Sequence, residues 1–345
     1  MTDFSDLASL ADSITAVASP FRVYLNDLHE KYSPVTEGKT ADSPLELASA
    51  DPAWFGICAA GVDGRIFEVG ECDRPFTIQA ISKAILFGLA LEEHGREFIA
   101  SKVNVEPIGE APNAIVLDER TRRPHNPIVN AGAIAITDLI RGETATDRLN
   151  KILDTFKRYT GRDHEVNVPV FLSMKAAGAR DRAIAHLMVN FGIVGDKIEE
   201  TLDLYFQQGA IVVTARDLAL IAATLANGGI NPLTRKRAIE ERYARDVICV
   251  LLTCGLHDAS GEWAYRVGLP AKTGISGGLM ALAPGKLGIG TFSPLLDARG
   301  NSVRGTRVCE EISRDFGLHL FDFARPDRDL RAWLAGEEES LDGWR

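Results

Sequence analysis

Two turn-punctuated apolar stretches, one near each end of the chain, constrain the fold more than any other feature. "FGICAAGVDGRIFEVGE" (55–71) gives two apolar runs joined around Asp63-Gly64, a hairpin signal because Gly supplies the positive φ of a tight turn. Far downstream, "PAKTGISGGLMALAPGKLGIGTFSPLLDARGNSV" (270–303) again alternates short apolar runs with Gly, Pro and Asp turns. Between them, "NPIVNAGAIAITDLI", "DRLNKILDTFKRY", "RDRAIAHLMVNFG" and "ARDLALIAATLANGG" place apolar residues three and four apart, the spacing of helices. The expectation is an α+β fold: an antiparallel sheet built from both chain ends, flanking helices, and a helical subdomain over about 127–250. A site is expected at the seam between the two halves.

Residues 1–50 read as an N-terminal helical segment ending in the polar loop "SPVTEGKTADSP", 51–323 as the main domain, and 324–345 as a loosely attached charged tail. No repeat at solenoid period is visible. The net charge of −10 weighs against a nucleic-acid or anionic-membrane partner. The start of the chain lacks a basic segment followed by an apolar core, and no apolar run reaches the roughly 18 residues of a membrane span. A cytoplasmic location is the expectation. The five cysteines, 58, 72, 249, 254 and 309, are odd in number and widely spaced, so they read as small buried hydrophobes rather than disulfides or zinc ligands. Cys249 and Cys254 are taken as core residues at a helix end.

The chemistry-bearing stretch is "FTIQAISK" (76–83), just before an apolar helix. On a helix, positions three apart sit about 60° from each other, so Ala80 and Lys83 share a face. A Ser at the first position loses its proton to a neutral Lys at the second. Downstream lies Lys272-Thr273-Gly274, a basic strand-edge motif suited to carboxylate binding and oxyanion stabilisation. S-x-x-K followed by K-[ST]-G is the pairing of penicillin-recognising serine enzymes, but here the first position is Ala80.

Four longer passages carry a family resemblance: "PHNPIVNAGAIAITDLI" (124–140), "LDLYFQQGAIVVTARDLALIAATLANGGINPLT" (202–234), "CGLHDASGEWAYRVGLPAKTGISGG" (254–278) and "SPLLDARGNSVRG" (293–305). In unbroken order over about 38–323, the chain resembles the serine-dependent glutaminases, L-glutamine amidohydrolases of β-lactamase/transpeptidase-like fold. The resemblance implies hydrolysis of L-glutamine to L-glutamate and ammonia through a Ser/Lys acyl-enzyme, without metal or organic cofactor. It also implies self-association as a dimer or tetramer and a small amino acid or amide as ligand.

Carried over residue by residue, the resemblance makes Ala80 the substituted nucleophile position and Lys83 the family lysine. Asn130 and Tyr205 match substrate-binding residues, and Ile275 stands where a backbone N–H helps form the oxyanion hole. Met174 occupies a family Glu position, Asp181 an Asn position, Ser43 a Tyr position, and His257 a Tyr position beside the nucleophile. Ala80 has no lone pair, so no acyl-enzyme forms there. Met174 removes a carboxylate that would pair with an α-ammonium, an interaction of roughly 1.5–3 kcal/mol.

Several readings follow. The chain is a member with impaired or absent catalysis, a pseudoenzyme or a binder of a different ligand, or a non-catalytic ligand-binding or oligomerisation module. Alternatively it is an amidohydrolase of altered specificity using Lys83 with His257 or Ser82. A third reading makes Ala80 alone an introduced change, against which the other substitutions argue. Ser82 lies about 200° from Ala80 on a helix, facing away from the expected pocket. His257 reads either as a base on water or as a hydrogen-bonded filler of the tyrosine's space. The remaining histidines, His125 and His186 among them, lack metal-ligand spacing, and "GISGG" and "NGG" read as turns rather than phosphate loops.

Overall fold

A computed structural model of the 345-residue chain describes residues 19–322 and 333–334. Residues 1–18 of the expected helical segment 1–50, and most of the expected tail 324–345, lie outside the described residues.

Strands β1 (Gly56–Gly61) and β2 (Ile66–Gly70) form the early hairpin, and β5 (Ala271–Thr273), β6 (Gly278–Ala283) and β7 (Leu287–Phe292) come from the late stretch. They make one five-stranded antiparallel sheet in the order β2-β1-β7-β6-β5. The two chain ends meet where β1 pairs β7, with Cys58 opposite Gly290 and Ala60 opposite Gly288. A second, two-stranded sheet joins β3 (Phe76–Thr77) to β4 (Val212–Val213). Between β3 and β5 the chain is mainly helical.

Side chains alternate across the strands, so the sheet is buried on both faces. Ile57, Ala59, Leu279, Ala281 and Ile289 face one core with Phe21 and Leu25 of the Pro20–Tyr32 helix and Val308 and Ile312 of the Val303–Asp315 helix. Cys58, Ala60, Met280 and Leu282 face the other, larger core with the central helices. Across that face runs the helix Ala215–Ala226, buried at every residue but Arg216. It starts at a reciprocal cap in which Thr214 accepts from the Asp217 amide and Asp217 from that of Thr214. Close approach is possible because β7 carries glycine at 288 and 290 on the face toward it. A Cβ on Gly288 would lie 2.2 Å from the Ala223 nitrogen, and one on Gly290 2.2 Å from the Ala215 oxygen.

Two expectations need correction. Cys249 is exposed rather than a core residue, because it falls on the outward face of the Glu241–Cys254 helix; the other four cysteines are buried and free. The C-terminal tail is also not wholly loose. Leu334 is buried, Trp333 packs edge-on against Tyr24 and Phe316, and the Trp333 carbonyl accepts from Ser19 Oγ. The tail's charged composition hid one apolar anchor, Trp333-Leu334, for which the first core leaves a place.

Candidate active site

Position 80 is set by the turn that precedes it. β3 is tied down by pairing with β4 and by the Ile78 amide, which donates to the Ile211 carbonyl at 2.8 Å. The chain then makes a 3₁₀ turn over Gln79–Ile81 before the helix Ser82–His94 begins. Gln79 has φ +53°, a left-handed conformation that costs a non-glycine residue about 1–3 kcal/mol. Its buried side chain stabilises the turn by donating to Thr77 Oγ1 at 2.9 Å and reaching Met174 Sδ at 3.7 Å. As a result, Ala80 is the one residue of the run 76–91 that is not buried. It opens onto a cavity of about 480 Å³ between the β5 edge of the sheet and the helices of the middle of the chain.

The same turn overturns the expectation for Ser82. The rotation of about 200° assumed a continuous α-helix, but Ala80 lies in the tighter 3₁₀ turn, and Ser82 lines the cavity. Its hydroxyl is nonetheless occupied: Ser82 is 1% exposed, and Oγ donates to the Gln79 carbonyl at 2.8 Å.

Lys83 reaches the cavity one turn further on. Its Nζ donates to the Ile128 carbonyl at 2.9 Å and to Asn130 Oδ1 at 2.8 Å. Asn130 Nδ2 in turn donates to Asp181 Oδ1 at 2.9 Å. The chain amine–amide–carboxylate fixes the amide orientation, because a carboxylate only accepts. Burial lowers the Lys83 amine to about 8, and the Asp181 carboxylate opposes this. Burial raises the Asp181 carboxyl, with the Asn130 hydrogen bond and Lys83 pulling it back.

His257 enters from the other side, also in a left-handed conformation, φ +55°. Its Nε2 lies 3.2 Å from the Lys272 amine, and its Nδ1 is buried with no partner. Burial first, then Lys272 and Lys83, push the imidazole well below its usual range. Lys272 is fully buried, donates to the Thr273 carbonyl at 2.9 Å, and is likewise pushed well down by burial and by Lys83. The reading of Lys272-Thr273-Gly274 as a basic, ligand-facing motif is therefore corrected. The lysine points inward to His257, and only Thr273 and, beyond it, Ile275 line the cavity.

All nine residues singled out in the sequence, Ser43, Ala80, Lys83, Asn130, Met174, Asp181, Tyr205, His257 and Ile275, line this one cavity. Ser43 sits exposed, on the loop held from behind by buried Arg304, which donates to the carbonyls of Ser33, Val35 and Pro52. Burial raises the Tyr205 hydroxyl well above its usual range, so it stays protonated. Ala80 and Ile275 lie on the wall of the same cavity, Ile275 just past β5. Sequence reasoning missed Gln79, Gln208, Asn113 and Arg299 as lining residues. Only Gln79 carried a signal, by its place next to Ala80. Among the described residues no group of three His, Cys, Asp or Glu is placed to hold a metal ion, and no helix is long and apolar enough to cross a membrane.

This arrangement agrees with comparisons to known proteins. The Glutaminase family model matches residues 38–321. A glutaminase of Microcystis aeruginosa is 65% identical over 336 residues, covering 97% of this chain and 99% of its own. A glutaminase of Nostoc sp. is 53% identical over 318 residues, covering 92% and 95%. Among solved structures, a probable glutaminase, ybaS, superposes with a TM-score of 0.84 at 34% identity, over 87% of this chain and 97% of its own. Mglu in its glutamate form gives a TM-score of 0.85 at 37% identity, over 88% of this chain and 71% of its own. The fold is thus the β-lactamase-like fold of these neighbours, and the chain belongs to the glutaminase family.

Proposed function

We propose that this protein binds a small amino acid or amide in the cavity without forming the family's acyl-enzyme, so that glutamine hydrolysis is absent or severely impaired. The observation that carries the reading is position 80. Of the run 76–91 that residue alone is not buried, it lines the cavity, and it bears a methyl group. Loss of the nucleophile in a serine hydrolase typically lowers the rate by about 10⁶.

The neighbouring groups support the reading. Ser82 Oγ is engaged with Gln79, and one His257 nitrogen faces Lys272 while the other is buried. No imidazole nitrogen is therefore offered to a water in the cavity. Lys83, with no hydroxyl to deprotonate, serves as a hydrogen-bond donor.

Head-group recognition is altered in the same direction. Met174 supplies no carboxylate, and Asp181 brings one to a different place, bonded to Asn130. A negative charge there favours an ammonium and disfavours a carboxylate. We further assign the ligand contacts to Asn130, Tyr205, Asp181 and the Ile275 amide, the location to the cytoplasm, and the assembly to a dimer or tetramer of a 51–323 domain.

The test compares the unmodified chain with Ala80→Ser. Ammonia release from L-glutamine and thermal shift with amino acids and amides are followed on both, since a native-state ligand raises apparent stability. Thermal stabilisation of the unmodified chain without turnover is the expected result. Glutamine turnover by the unmodified chain overturns the reading.

A further inference from the structure

We propose that Lys83 is a nucleophile in its own right, condensing with small aldehydes that enter the cavity to form an imine. In a Ser/Lys site the lysine accepts a proton from the serine; with Ala80 at that position this duty is gone. What remains is a primary amine at the wall of an open cavity of about 480 Å³. Its hydrogen-bond partners are both uncharged acceptors, the Ile128 carbonyl and Asn130 Oδ1. No carboxylate ion-pairs with it among the described residues; the nearest acidic partner, Asp181, is reached only through Asn130. A desolvated lysine near another basic group is the setting in which lysine acts as a Schiff-base nucleophile.

The groups around the amine fit this chemistry. Asp181 and Tyr205 share the cavity wall with it from the helices of the middle of the chain, His257 from the short turn after the Glu241–Cys254 helix, and Lys272 lies on β5 behind His257. Burial holds the amine at about 8 against the pull of Asp181, so a substantial neutral fraction exists near pH 7. Lys272 is fully buried and outside the cavity wall, so it does not compete. The step balances without a redox partner. The amine nitrogen bonds the aldehyde carbon, the carbinolamine loses its oxygen as water, and both amine hydrogens leave with it. Asp181 disfavours an anionic carbonyl compound, so an uncharged aldehyde is the preferred class. The inference rests on the proposed function only in that no acyl-enzyme forms at position 80.

The experiment treats the full-length protein with propanal and cyanoborohydride, which reduces the imine to a stable secondary amine, and maps the modified peptides. Exposed Lys197, at 75% side-chain exposure, serves as the internal reference. A lysine held near 8 has a neutral fraction at pH 7 on the order of 100-fold above that of an ordinary lysine. The expected result is Lys83 labelling about 100-fold faster than Lys197 at pH 7, with a rate that levels off above about pH 8, and loss of that peptide's label in Lys83→Arg. Peptide mapping separates this signal from the chain's α-amine. Labelling of Lys83 no faster than Lys197 overturns the proposal, and because the ratio is read within the unmodified protein it does not depend on a variant folding. Ammonia release from L-glutamine by the same sample reads the proposed function separately.

Discussion

The Lys272 amine lies 3.2 Å from Nε2 of His257. Burial, then the charge of Lys272, holds the imidazole well below its usual range, and burial, then Lys83, does the same to the Lys272 amine. A buried amine donating to a neutral imidazole is a stable arrangement, and a pair of cations in the same place is not.

This gives a pH dependence with a definite sign. The folded imidazole titrates well below 6.5 and the unfolded one near it. Above about 6.5 neither state is protonated and His257 contributes no slope. As the pH falls from there toward the depressed folded value, the unfolded chain takes up the proton first. Stability then declines by up to about 1.4 kcal/mol per pH unit from this group. Urea unfolding between pH 7 and 5 will show a steeper loss for the unmodified protein than for His257→Gln; equal slopes would mean that the ring is not held neutral.

Asp181 is expected to tune Lys83. Its carboxylate is the group that opposes the effect of burial on the amine. Asp181→Asn will therefore move the Lys83 amine below about 8, read from the pH dependence of its chemical labelling. The same variant removes the charge that disfavours a ligand carboxylate, so amino-acid carboxylates should bind more tightly by calorimetry. An unchanged or raised Lys83 value would show that the Asn130 link transmits no influence.

Packing between β7 and the Ala215–Ala226 helix leaves no room for a methyl group. At Gly290 the clash would be with backbone, the Ala215 oxygen and the Ala219 nitrogen at 2.2 and 2.5 Å. Side-chain adjustment cannot relieve it, so Gly290→Ala will cost at least the 1–3 kcal/mol typical of overpacking. A lowered midpoint in denaturant with an unchanged slope is the expected signature.

Much of this architecture was legible in the sequence because it depends on periodicity. The Asp63-Gly64 hairpin and the late Gly-punctuated strands announced a sheet closed from both ends, and β1 does pair with β7. The cavity residues were legible through motifs whose order survives while individual contacts change. What stayed hidden depends on local backbone geometry. The left-handed turn at Gln79 breaks the helical arithmetic on which the placement of Ser82 rested. The inward aim of Lys272 depends on His257, fifteen residues away in sequence, and no pattern joins the two. Trp333-Leu334 was masked by the charges around it, although its docking site is built by Tyr24 and Phe316.

Whether the methyl group of Ala80 leaves the cavity without a nucleophile is tested most directly by steady-state ammonia release from L-glutamine by the unmodified protein. Ammonia at the level of the protein-free control across pH 6–9 is the predicted result. Saturable release above that control, proportional to protein and lost in Lys83→Met, would contradict it and require a nucleophile other than residue 80.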